Sequence, residues 1–115
     1  MEDFYNKIGC DYQEAMVRFL NDESLYMKFL KKFKSDPSYN DMIEAINKKN
    51  VEAAFYAAHT LKGVCGNLSL KRLYDKVCVL VEELRVGDLS HTDELLPPIE
   101  NTYHEIIDLI DEQKG

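Results

Sequence analysis

Cysteine is scarce in this chain. Three are present, Cys10, Cys65 and Cys78. The number is odd and no C-x-x-C occurs, which argues against a zinc site and against a disulfide framework. They read as reduced thiols of a cytoplasmic protein, with Cys65 and Cys78 acting as small core hydrophobes. Long apolar runs are missing too: none approaches the ~20 residues of a membrane span. The start, Met1-Glu2-Asp3-Phe4-Tyr5, is acidic and aromatic and does not read as a signal peptide. Basic residues are outnumbered, 14 Lys and Arg against 21 Asp and Glu, for a net charge of -7. That balance argues against a general nucleic-acid binder or an anionic-membrane binder. No segment alternates like a strand, and no repeat or low-complexity tract occurs.

What is present is ordinary for a soluble globular protein. Hydrophobic residues make up 45% and charged residues 30% of 115, which argues against disorder and suits one domain with a real core. The apolar spacing is helical throughout. Asp11-Tyr12-Gln13-Glu14 is a D-x-x-E start for a short helix to about Leu20, with Ala15, Met16 and Phe19 inward. Asn21-Asp22 caps a second helix to about Lys34, with Leu25, Phe29, Leu30 and Phe33 inward. Asp36-Pro37 opens a third, lined by Met42, Ile43 and Ile46, which ends near Asn47-Lys48-Lys49-Asn50. A fourth runs from about Val51 to Leu68. Ser69 is placed as the cap of a fifth, with Leu73, Val77, Leu80, Val81 and Leu84 inward and Gly87 at its end. A sixth starts at Ser90 or Thr92. Pro97-Pro98 is expected to bend it or delay its regular part, before the stripe Ile99, Tyr103, Ile106, Ile107 and Ile110. Short connections between amphipathic helices imply an antiparallel bundle.

The fourth helix carries the chemistry. At about 100° per residue, His59, Lys62, Gly63 and Gly66 share one face, and Leu61, Val64 and Leu68 take the other. Each glycine inside a helix costs about 0.5–1 kcal/mol relative to alanine. A histidine on a helix is more often surface decoration, a lone lysine is normally solvated, and glycines permit close packing. The joint pattern points elsewhere: the glycines lie on the histidine's face, so something large is expected to approach that imidazole. Phe55 lies one turn earlier on nearly the same face, with Tyr56 beside it. Phe55 either forms part of a docking patch or packs under the first helix, where Tyr12, Met16 and Phe19 either supply cover or extend the patch. Thr60 is placed to bond backwards along its helix or to orient the imidazole. His91 and His104 lack a lysine and glycine at matching spacing, and Lys31-Lys32-Phe33-Lys34 reads as a solvated face.

Ala58-His59-Thr60-Leu61-Lys62-Gly63, followed by Gly66-Asn67-Leu68, resembles the signature of histidine-containing phosphotransfer (HPt) domains. Arg18 through Tyr26 resembles that family's second-helix entrance, and Ala45-Ile46 through Ala53-Ala54 its lead into the histidine helix. The resemblance covers about residues 8–112. It departs at Ser69-Leu70, where many members have glycine-alanine.

The resemblance implies an all-α, antiparallel four-helix bundle with an additional short N-terminal helix. Residues 1–115 would form one HPt domain, with a bundle core of about 22–112 and a covering helix of about 11–20. It further implies a phosphoryl carrier with no kinase domain of its own. His59 is the expected phosphoacceptor and Lys62 the expected stabiliser of phosphoryl charge. Gly63, Gly66, Asn67, Phe55 and Tyr56 are the expected partner-binding residues. No metal ligand and no cofactor is implied, magnesium belonging to the partner. The implied partners are response-regulator receiver domains and a sensor or hybrid histidine kinase, with no nucleic acid and no membrane. Members are commonly monomers, although some dimerise. An adaptor that binds receivers without carrying phosphate stays open. So does the phosphoacceptor domain of a larger hybrid or chemotaxis-type kinase, although Met1 and Glu112-Gln113-Lys114-Gly115 read as natural limits.

Overall fold

The computed structural model describes residues 2–113. Among them the chain is all-helical, without strands. Its α-helices are α1 (Glu2–Lys7), α2 (Tyr12–Arg18), α3 (Glu23–Lys32), α4 (Ser38–Asn47), α5 (Val51–Asn67), α6 (Lys71–Arg85) and α7 (Thr92–Glu112), with a 3-10 turn at Phe33–Ser35 after α3. Three helices start on side-chain caps. Asp11 accepts from the Glu14 amide at 3.1 Å, Asp22 from Leu25 at 3.0 Å and Asn50 from Ala53 at 3.1 Å. Each cap satisfies an amide that the first turn would otherwise leave open.

The most extensive packing runs α4 on α5, α5 on α6 and α6 on α7. Ala54, Ala57 and Ala58 line the buried side of α5, and their small side chains let α4 approach closely. The core stripe of α6 is as read from the sequence: Leu73, Val77, Leu80, Val81 and Leu84 are all buried. Closure comes from the other end of the chain. Tyr39 of α4 stacks on Tyr103 of α7 with ring centroids 3.7 Å apart, and Phe33 meets the same ring at 5.5 Å. Lys34 pairs with Asp111.

Several expectations need correction. The N-terminal segment is part of the core: Phe4, Tyr5 and Ile8 are buried, so the core extends well before residue 22. Arg72 of α6 donates to the Asn6 and Lys7 carbonyls, both at 3.0 Å, closing the C-terminal end of α1. Gly9 stands at φ +72°, and a Cβ there would lie 2.5 Å from Cβ of Arg72, so both backbone conformation and space require glycine.

In α3 the buried face is Tyr26, Leu30 and, just beyond, Phe33, at spacings of four and three. Phe29 is not inward; it is 43% exposed beneath the Lys32 ammonium. The Tyr26 hydroxyl donates to the Leu68 carbonyl at 2.7 Å, and this anchor rotates the helix. Leu25 is half-buried.

Ser69 does not cap α6. It sits at φ +53°, and its hydroxyl donates to Glu14 Oε1 at 2.8 Å. α6 starts behind Leu70 with no side-chain cap. The prolines neither break nor delay α7, which is helical from Thr92 through Pro97 and Pro98. Cys65 is buried as expected, whereas Cys78 is only half-buried; all three cysteines are free. Burial pushes the Cys10 thiol up to about 11, so it stays protonated at neutral pH.

Candidate functional site

His59 stands on the outer face of α5. It is exposed, and among the described residues neither ring nitrogen has a hydrogen-bond partner. Beside it opens a groove of about 560 Å³. Its α5 wall is His59, Lys62, Gly63, Gly66 and Asn67. Glu14 and Arg18 of α2 border it on one side, Lys71 and Tyr74 of α6 on the other. The face read from the sequence is therefore one wall of a real concavity.

The groove is basic although the protein is acidic. Arg18, Lys62 and Lys71 face it against a single carboxylate, Glu14. That carboxylate is already engaged, by Arg18 at 3.4 Å and by the Ser69 hydroxyl at 2.8 Å. Lys71 pairs with Asp75 at 3.1 Å. Lys62 pairs with no carboxylate among the described residues. Its ammonium is thus available for an anion at the imidazole, one helical turn away.

The two glycines play different parts. A Cβ on Gly63 would meet nothing within 4 Å, so that stretch of helix is bare to solvent. A Cβ on Gly66 would lie 3.2 Å from the Tyr74 ring. Gly66 therefore lets Tyr74 lie close against α5 while itself lining the groove. The Lys71 ammonium sits 5.7 Å from the centre of the Tyr74 ring.

The structure separates the aromatic candidates. Tyr56 is 75% exposed. It borders a second groove with Thr60, Asp36 and Asp41 on the other flank of α5. Phe55 is half-buried, but not under α2. Tyr12 packs on Tyr5 with centroids 4.7 Å apart, and Phe19 packs on Tyr26 at 5.2 Å and Phe29 at 5.7 Å. Phe55 is covered instead by the Arg85 guanidinium, 5.1 Å from its ring centre, and its ring lies 5.7 Å from that of His59. Arg85, too far along the sequence to place by spacing, reaches the site through this aromatic ring. Thr60 bonds back to the Tyr56 carbonyl at 3.0 Å and leaves the imidazole untouched.

Of α2 the sequence offers Tyr12, Met16 and Phe19 as cover or docking patch, whereas Glu14 and Arg18 border the groove. Glu14 reads in sequence as the end of the D-x-x-E helix start, and nothing local shows that it and Arg18 reach the groove beside α5. One metal-competent group occurs among the described residues, Glu83, Asp88 and His91 at the α6–α7 turn, with ligand atoms within 4.8 Å of one another. Their atoms are already engaged: His91 Nδ1 contacts Glu83, and Ser90 donates to Asp88. None of them lines the His59 groove.

The Hpt domain family model matches residues 34–113, which is α4 through α7 with the end of the preceding turn. That span covers well over half of the chain, and the chain belongs to the Hpt domain family. Searches of the curated proteins and of the solved structures found no match. Hpt domains are phosphocarrier modules of phosphorelays that engage response-regulator receivers and kinases. No helix among the described residues is long and apolar enough to cross a membrane.

Proposed function

We propose that this protein accepts a phosphoryl group on His59 and relays it to or from the aspartate of a receiver domain, in the cytoplasm and as a monomer. Residues 1–115 act as one unit in this reading, because α1 to α3 supply part of the core and one border of the groove. The observation that carries it is the pairing of an exposed, unpartnered imidazole with a groove of three cations and one engaged carboxylate.

The chemistry follows from those groups. Neutral imidazole is a competent nucleophile near pH 7. Nε2 forms the N–P bond while the P–O bond of the incoming aspartyl phosphate breaks, and the carboxylate leaves with that electron pair. The Nδ1 proton remains on the ring until solvent or the return transfer removes charge. A loose phosphoryl-transfer transition state is helped mainly by positioning and by charge on the equatorial oxygens. Lys62 supplies that charge from this side. The chain brings no metal or cofactor of its own to the step, and magnesium belongs to the receiver. Gly63, Asn67 and Tyr56 meet the partner surface, while Gly66 sets the groove wall by seating Tyr74.

The test is incubation with a labelled phospho-receiver, comparing wild type with His59→Gln. Acid-labile, base-stable label on the wild type and none on the variant is the expected result. No label across a broad receiver panel, with the fold intact, moves the reading to an adaptor.

A further inference from the structure

His59 presents an unusual problem for a nucleophile. Among the described residues no hydrogen bond orients its ring, so packing must do so. The neighbour in contact is Phe55, with centroids 5.7 Å apart and planes inclined by 47°. Phe55 is in turn covered by the Arg85 guanidinium at 5.1 Å. Arg85 is held on the far side by Glu82, which accepts from Nε at 3.2 Å and from the terminal nitrogen at 3.3 Å. A row therefore runs Glu82, Arg85, Phe55, His59 from the end of α6 to the reacting ring. A guanidinium over an aromatic face is an attractive arrangement that restrains both groups.

We infer that Phe55 and Arg85 are positioning residues for the His59 imidazole, holding it in one orientation, and that this is separable from any role of Phe55 in docking. This rests on the carrier reading above. An exposed helical histidine has two favoured χ1 wells and a broad, two-fold χ2. If one orientation is productive, releasing the ring lowers the reactive fraction, and with it the rate, about three- to four-fold. Arg85 acts through Phe55 and touches no reacting atom.

The experiment uses phosphoramidate, a small N-phosphoryl donor with no surface to dock. Its N–P bond breaks as the His59 N–P bond forms, and ammonia leaves. Phosphohistidine formation is followed for wild type, Phe55→Leu, Arg85→Gln and Arg85→Lys. His59 χ1 couplings are measured by NMR on the unphosphorylated proteins. We expect Phe55→Leu and Arg85→Gln each to slow formation about three- to four-fold and to average the couplings, with Arg85→Lys restoring most of both. The deficit should persist in ~0.5 M salt, where an exposed charge acting at a distance is largely screened. Wild-type rates in Phe55→Leu and Arg85→Gln overturn the inference, whatever the couplings do. Failure of the wild type itself to accept phosphate would count against the carrier reading. In that case unaveraged couplings in both variants still overturn the positioning role, and averaged ones uphold it.

Discussion

The three histidines show how much surroundings decide. Among the described residues His59 meets the Phe55 ring and otherwise opens onto the groove. His104 lies edge-on to Tyr39 and Tyr103, with ring centroids 5.7 and 5.4 Å away. His91 is bonded through Nδ1 to Glu83, with Asp88 at 3.8 Å. The Glu83 hydrogen bond and charge raise the His91 pKa. A histidine raised in the folded state stabilises the fold fully below its unfolded value of about 6.5, and that contribution is lost as pH rises through the folded value. The Tm advantage of wild type over His91→Gln should therefore shrink as pH rises from about 5.5 to about 8.5. A difference independent of pH would contradict the assignment. Tyr26 offers a second check at this scale. Its buried hydroxyl ties α3 to the carbonyl of Leu68, which caps the C-terminal end of the histidine helix, at 2.7 Å. Tyr26→Phe should cost about 1–2 kcal/mol, since the buried Leu68 carbonyl keeps only the weak Cys10 Sγ donor at 3.8 Å. That is a fall in Tm of about 4–8 °C, with phosphoryl transfer unchanged, and calorimetry beside a transfer assay would check it.

At the scale of elements, α5 combines a packed alanine face with a face left bare at Gly63. Gly63→Ala adds a methyl group into open space. It should raise stability by up to about 1 kcal/mol through helix propensity and slow transfer from a receiver by crowding the approach. Gly66→Ala must push the Tyr74 ring, so its propensity gain is offset. Denaturant melts of both variants, with transfer rates, separate the two; equal behaviour would show that Tyr74 yields freely.

This helix was legible in the sequence because its caps, its apolar stripe and its motif all act within a few residues. α6 was legible from its apolar stripe alone. α1 was not. Six residues are too few to form a helix alone; α1 exists because Arg72 closes its carbonyls and Tyr5 and Ile8 reach the core. Ser69 misled as a cap because a serine before a helix is usually one, whereas its left-handed backbone and its bond to Glu14 depend on where α2 lies. Phe29 misled because spacing alone cannot choose between neighbouring registers of α3, and the Tyr26 anchor makes the choice. The His59, Lys62 and Gly63 part of the site was readable; its α2 border and the Arg85–Phe55 contact are tertiary and were not.

At the scale of the whole molecule, charge is sharply divided. α7 carries seven carboxylates and no lysine or arginine, which equals the net charge of -7. The rest of the chain is therefore balanced, and the basic groove lies in that balanced part, on α2, α5 and α6. An anionic group is thus drawn toward His59 and away from α7.

A carrier must also give up what it accepts, and that is the most direct test of the account. The phosphorylated protein, purified from its donor, would be mixed with an unphosphorylated receiver and magnesium. Label moving from His59 to the receiver aspartate, faster than it is lost without a receiver, is the predicted result. Label that stays on the protein, or leaves only as inorganic phosphate at the receiver-free rate across the receiver panel, would contradict it.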